Sequence, residues 1–243
     1  RQYDIRPAGE RELYTSIIFL EPFDWRNQRA FGYDMYSEPT RNHAMRRAME
    51  TGKAALSGKV RLVQETESDV QPGVLLYVPV YRHEMAVETP EQRRANLVGW
   101  AYSPLRMKNL MGGLFGEELG DVVDLIRFAI YDSEHASQET LLYDSVEGSS
   151  FTDARYTAEH AIQLAGRTWT VGARSLPAFD SGRADPKSGI LLGAGLIISA
   201  LGGVIVGIVA RGYAGARADL DATASANREL QRSVEEKRAI EGT

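Results

Sequence analysis

The sequence predicts an α+β fold: a domain of antiparallel strands and a few helices, then a single membrane-spanning helix and a polar helical tail. Three observations predict it. Strand-like and helix-like segments follow the order strand, helix, two strands, then strand, helix and several strands, without the regular alternation of a parallel α/β sheet. The 22-residue run from Gly189 to Ala210 (GILLGAGLIISALGGVIVGIVA) carries no charged side chain. At about 1.5 Å per helical residue it spans the roughly 30 Å hydrocarbon core of a bilayer, where only a helix lets such a segment satisfy its own backbone. Beyond it, a tract rich in Ala, Glu and Arg keeps a spacing of three and four residues.

Tyr14 to Leu20 (YTSIIFL) is β-branched and aromatic, and is predicted to be a strand. Ser37-Glu-Pro-Thr opens a helix, with Ser37 as N-cap and Pro39 in the first turn, where its missing N–H costs little. That helix runs through Arg41–Met49 and stops near Gly52. Val60–Val63 and Val74–Tyr81 follow as strands joined by the polar loop Glu65–Gln71, and Pro79 places the second at an edge or a bulge. Leu97–Tyr102 is another strand. After Ser103-Pro104 an amphipathic helix is expected, with Leu105, Leu110, Leu114 and Leu119 among its apolar positions. Arg127–Asp132, Leu141–Tyr143, Ala158–Leu164 and Thr168–Ala173 complete the strands, and Gly166 marks the tight turn of a closing hairpin. The aromatics Phe19, Phe23, Trp25, Tyr33, Tyr81, Trp100 and Tyr102 flank these strands and are expected mostly in the core. Asp34 is expected to cap or brace the loop before its helix.

Composition narrows the function. A net charge of −5 leaves no basic excess for phosphate neutralisation, which argues against nucleic acid as a partner. The absence of cysteine excludes disulfides and thiolate metal sites. His43, His83, His135 and His160 have no metal-site spacing, and the chain lacks a GxSxG elbow, a P-loop and an HExxH motif. No catalytic residue, metal or cofactor is expected in this segment. Arg183 and Lys187 on one flank of the apolar run balance Arg211 and Arg217 on the other, so the positive-inside count gives no orientation. Position 1 is Arg, and a large domain ahead of a single span needs an upstream signal or anchor; the chain is therefore expected to be part of a longer protein.

Within the apolar run Gly195, Ser199, Gly203 and Gly207 recur every four residues, a small-xxx-small ridge that lets two membrane helices approach closely. Past it, Tyr213, Ala216, Leu220, Thr223, Asn227, Leu230, Val234 and Lys237 form a heptad seam. Asn227 falls at an interior position, where a buried Asn fixes register and oligomer number. Both features predict helix association, either within a homodimer or with a second membrane helix.

Seven ordered blocks carry a family resemblance. Glu21-Pro-Phe-Asp-Trp-Arg-Asn, Phe31-Gly-Tyr-Asp-Met, Glu50-Thr-Gly-Lys-Ala, Pro79-Val-Tyr, Gly99-Trp-Ala-Tyr-Ser-Pro-Leu-Arg-Met, Leu142-Tyr-Asp-Ser and Gly166-Arg-Thr-Trp-Thr together resemble the CHASE domain, the extracytoplasmic sensor of many bacterial histidine kinases and cyclases and of plant cytokinin receptors. The resemblance implies a long N-terminal helix, entered here after its end, and two PAS-like subdomains. It also implies an organisation: a periplasmic sensor over residues 1–182, a membrane helix over 189–210, and a cytoplasmic signalling helix over 211–243. The parent would be a sensor histidine kinase of the inner membrane. The alternatives are a diguanylate or nucleotide cyclase, or a membrane-anchored binding module without output domain.

In cytokinin receptors an acidic side chain of the distal subdomain holds the adenine. Gapless alignment on Asp34-Met and Glu50-Thr-Gly-Lys-Ala puts Arg41 at that position. A guanidinium accepts no hydrogen bond and suits carboxylates or phosphates instead. The resemblance therefore implies a small, anionic ligand held by Arg41 with help from Arg61, with Val63, Tyr77, Tyr81 and Trp100 lining the pocket and Tyr77 reducing its volume.

Overall fold

The computed structural model describes residues 3–66, 69–115, 124–146 and 154–181. The chain divides into two units, Arg1–Ser188 and Gly189–Thr243, and all described residues lie in the first. Two antiparallel sheets organise that unit. The first has the order β1-β2-β3, from Ala55–Leu56, Gly73–Tyr81 and Leu97–Arg106. The second has the order β5-β4-β7-β6, from Leu141–Asp144, Ile126–Tyr131, Arg167–Ser175 and Thr157–Leu164. Helix α1, Pro39–Thr51, packs on the first sheet, and its C-cap Gly52 takes a left-handed φ of 68°. Helix α2, Pro90–Asn96, connects β2 to β3; α3, Met107–Phe115, follows β3; α4, Pro177–Ser181, follows β7.

The mixed architecture with antiparallel sheets agrees with the predicted class, while several elements differ. Tyr14 to Leu20 is no strand. Ile17 N donates to Tyr33 O and Gly32 N donates to Ile17 O, but Gly32 at φ 80° and the 3-10 turn Met35–Ser37 break the partner segment, and the ladder shrinks to one Ser16–Asp34 bridge. Val60–Val63 is likewise a single bridge, Val60 to Gly73. Leu62 folds over Gly73, where even a Cβ would sit 2.6 Å from its Cγ, and the chain then turns through Glu65.

Ser37 is not the helix cap. Its hydroxyl turns back to the Asp34 carbonyl at 2.6 Å, and Glu38 caps α1 instead. Strand β3 also outruns its prediction, continuing through Ser103-Pro104 to Arg106. It is an edge strand, so the N–H that Pro104 lacks would have faced away from the ladder. Pro79 lies on central β2, past the two residues that β1 covers and next to a register shift at Val80/Tyr81.

Helix α2 buries no residue, so no apolar periodicity predicts it. Its Thr89 side chain accepts from Gln92 N while the Gln92 side chain accepts from Thr89 N, a reciprocal capping box ahead of Pro90. Among the described residues no helix is long and apolar enough to cross a membrane. The run from Gly189 to Ala210, its glycine ridge, Leu119 and the seam holding Asn227 lie outside the described residues.

Candidate ligand-binding site

Helix α1 buries Arg41, Ala44, Met45, Ala48 and Met49, an i, i+3, i+4, i+7, i+8 stripe that faces the first sheet. Ala44 and Ala48 are small enough to let the helix approach, and large aromatic rings fill the remaining space. At the N-terminal end of the stripe stands Arg41, a charged residue only 4% exposed. A full positive charge in the first helical turn opposes the helix dipole. Glu38 offsets this: its carboxylate accepts from Thr40 N at 2.9 Å and Arg41 N at 3.0 Å, and meets Arg41 Nη1 at 3.3 Å.

The guanidinium is only partly satisfied. Arg41 Nη2 donates to Arg61 O at 2.8 Å and Nη1 to Tyr33 Oη at 3.4 Å, with the Tyr33 ring 5.2 Å from the guanidinium carbon. Arg41 Nε is buried with no hydrogen-bond partner. The same holds for Tyr102 Oη. Tyr102 sits directly opposite Tyr77 across β2 and β3, with the rings 6.1 Å apart, and Tyr77 Oη contacts Met35 Sδ at 3.7 Å. Burial pushes the Tyr102 phenol up to about 12, and raises Tyr77 further, while the Arg41 charge opposes both shifts. Both phenols thus stay protonated near neutral pH, in the electrostatic field of Arg41.

The structure brings several of the sequence-predicted residues together here. Trp100 donates from Nε1 to Met45 O at 2.9 Å and packs against Tyr36 in a tilted arrangement with ring centres 5.4 Å apart. Val63 and Trp100 pack on the cluster that contains Tyr77, Ala44 and Met45. Tyr81 stands toward the other end of α1, its hydroxyl donating to Met49 O at 2.8 Å. Arg61 is exposed, and the atom it presents to Arg41 is its carbonyl oxygen. Of the aromatics expected in the core, Phe19 and Trp25 are instead 78% and 66% exposed. Asp34 braces as expected: wholly buried, it accepts from Thr15 N, Thr15 Oγ1 and Tyr36 N, and it pairs with Arg11 at 2.8 Å. Sequence reasoning missed Glu38, Tyr33 and Tyr102 as members of the site. The acid directly before Pro39 was the available signal for Glu38.

A second charged cluster ties this region to the other sheet. Asp132, buried at the end of β4, accepts from Lys59 N at 2.8 Å and pairs with Arg167 through Nε at 2.9 Å and Nη2 at 2.6 Å. Gly58 fits between: a Cβ there would lie 3.0 Å from Thr40 Cγ2 and 3.2 Å from Asp132 Oδ2. The β6–β7 turn reaches back as well, with Leu56 N donating to Ala165 O at 3.0 Å. Among the described residues no group of three His, Cys, Asp or Glu is placed to hold a metal ion.

The family model of the CHASE domain matches residues 1–143, more than half of the chain. This chain belongs to the CHASE-domain family. The match takes in the whole first sheet, α1 to α3 and β4. CHASE domains are extracellular sensory domains without catalytic activity. Among solved structures the chain is similar to the ligand-binding domain of the Pseudomonas aeruginosa PAO1 amino acid chemoreceptor PctB in complex with L-Arg. The identity is 11% and the TM-score 0.37; the likeness covers 63% of this chain and 65% of that one.

Proposed function

We propose that this chain is the ligand-sensing and signal-transmission region of a bacterial receptor, and that a small anionic ligand binds at Arg41. In this reading residues 1–182 form a periplasmic sensor, 189–210 a helix through the inner membrane and 211–243 a cytoplasmic signalling helix. The receptor is a homodimeric sensor histidine kinase. CHASE membership supports the sensory role. One observation carries the site: a buried guanidinium in an aromatic cluster keeps an unused N–H. Burying such a charge costs several kcal/mol unless its donors are matched, so a purely structural arginine has every reason to complete its bonds.

The ligand completes Arg41 with Val63, Tyr77 and Trp100 around it and Tyr81 farther along the helix. Arg61 helps by holding Nη2 through its carbonyl. Occupancy acts on the second sheet through Thr40, Gly58 and Asp132, and from there on the membrane helix and its ridge of Gly195, Ser199, Gly203 and Gly207. A ligand shifts such an equilibrium only through unequal affinity for the two states.

The test is thermal stabilisation of the chain by a panel of small carboxylates and phosphates, repeated on Arg41→Ala. Stabilisation confined to the parent protein supports the reading; equal shifts in the variant would sink it. For the output, the residues that follow Thr243 in the parent receptor decide. A His-Glu phosphoacceptor motif supports the kinase, and a GGDEF motif points to a cyclase.

A further inference from the structure

The groups left unmatched around Arg41 have a definite chemical character. Arg41 Nε–H can only donate, and Tyr102 keeps its proton well above neutral pH, so the pair offers two donors and one positive charge. The carboxylate beside Arg41, and the buried carboxylates Asp34 and Glu65, are already engaged. Glu38 takes Thr40 N on one oxygen and Arg41 N and Nη1 on the other. Asp34 takes three donors on Oδ1 and Arg11 on Oδ2. Glu65 is paired through both oxygens with Arg106 at 2.7 and 3.0 Å. An incoming ammonium group would meet a buried cation and no free acid.

Resting on the reading of Arg41 as the ligand site, we propose that the ligand is a small monocarboxylate with an apolar body and no ammonium group. One carboxylate oxygen accepts Arg41 Nε–H and the other accepts Tyr102 O–H. Two donors match two oxygens. A phosphate brings three acceptor oxygens and nearly twice the charge, which this donor set cannot satisfy. The apolar remainder packs among Tyr77, Trp100, Met35 and Met45, where a second charge would be desolvated without a partner.

The full chain in detergent micelles tests this with four probes: butyrate, benzoate, phenylalanine and inorganic phosphate. Two readouts are followed, the melting temperature and the Arg41 Nε–H resonance, assigned by its loss in Arg41→Gln. Butyrate or benzoate is expected to raise the melting temperature and move that resonance downfield. Tyr102→Phe, which leaves the guanidinium in place, is expected to weaken the effect about three- to tenfold, the value of one buried hydrogen bond. Arg41→Gln is expected to weaken it more than about tenfold. If phosphate or phenylalanine binds as well as either acid and Arg41→Gln abolishes it, the site stands and the monocarboxylate is overturned. If an acid stabilises Arg41→Gln as strongly as the parent, Arg41 is not the site and both readings fall. No response to either acid up to about 10 mM, weaker than about 3 kcal/mol of binding, also overturns the monocarboxylate.

Discussion

Arg41 shows how much a single position decides. It occupies the core stripe of α1, where an apolar residue would pack more cheaply, and its charge is held by Glu38, Tyr33 and the Arg61 carbonyl. The phenols around it bring a measurable pH dependence. Burial raises Tyr102 from an ordinary 10 to about 12, and raises Tyr77 as well. The folded state therefore holds these protons more tightly than the unfolded chain. Stability is fully kept below pH 10 and lost as pH rises toward 12. Denaturant melts are expected to lose about 2 kcal/mol over that window through Tyr102, and Tyr102→Phe to lose correspondingly less. A loss equal in the variant would assign the effect elsewhere. Gly166 is a second decisive residue. It sits at φ 82° in the β6–β7 turn, and a Cβ would lie 2.2 Å from Arg47 Nε. Gly166→Ala is expected to cost about 1–3 kcal/mol by chemical denaturation, since the side chain is both strained and obstructed.

Elements were legible where local chemistry was self-sufficient. The stripe of α1, its Pro39 start and its Gly52 stop are written in adjacent residues, and six of the strands answer to apolar or β-branched runs. Boundaries failed where a neighbour intervened. Glu38 caps α1 because Ser37 is drawn into the preceding 3-10 turn, and β3 passes through Pro104 because it lies at an edge. Tyr14 to Leu20 has strand composition but no regular partner, and a strand exists only as half of a ladder. Helix α2 tests the weight of local signals from the other side. It buries no residue, so its order rests on capping, and Arg93 links it to the Glu50 carbonyl at 2.8 Å. Thr89→Ala is expected to lower stability by about 1 kcal/mol and to raise amide exchange through Pro90–Asn96. Unchanged exchange there would assign the order of α2 to the Arg93 contact.

At the scale of the molecule, the junction between the sheets carries the interest. Asp132 joins Lys59 of the first sheet's loop to Arg167 of the second, and the arginine is 30% exposed, so solvent screens part of the attraction. Asp132→Ala removes the carboxylate that accepts from Lys59 N and pairs with Arg167 Nε and Nη2. It is expected to cost about 2–3 kcal/mol in denaturant melts. It is also expected to separate the exchange behaviour of the two sheets, so that β4 and β7 amides no longer follow those of β2. Continued single cooperative unfolding would show that the sheets are coupled by apolar packing instead. This junction is also the route by which a ligand at Arg41 would reach the second sheet in the proposed receptor.

By itself, the sequence determined the fold class, the order of most elements, the membership in the sensory family and the emphasis on Arg41. Those follow from periodicity, turn residues and ordered motifs, which act over a few residues each. Only the tertiary structure decided that Arg61 contributes its carbonyl, that Phe19 and Trp25 face outward, and that Arg41 Nε and Tyr102 Oη are left as buried donors. It alone placed Asp132 beside Lys59, 73 residues away in sequence. Burial and hydrogen-bond completion depend on which distant segments meet, and no local pattern encodes that meeting.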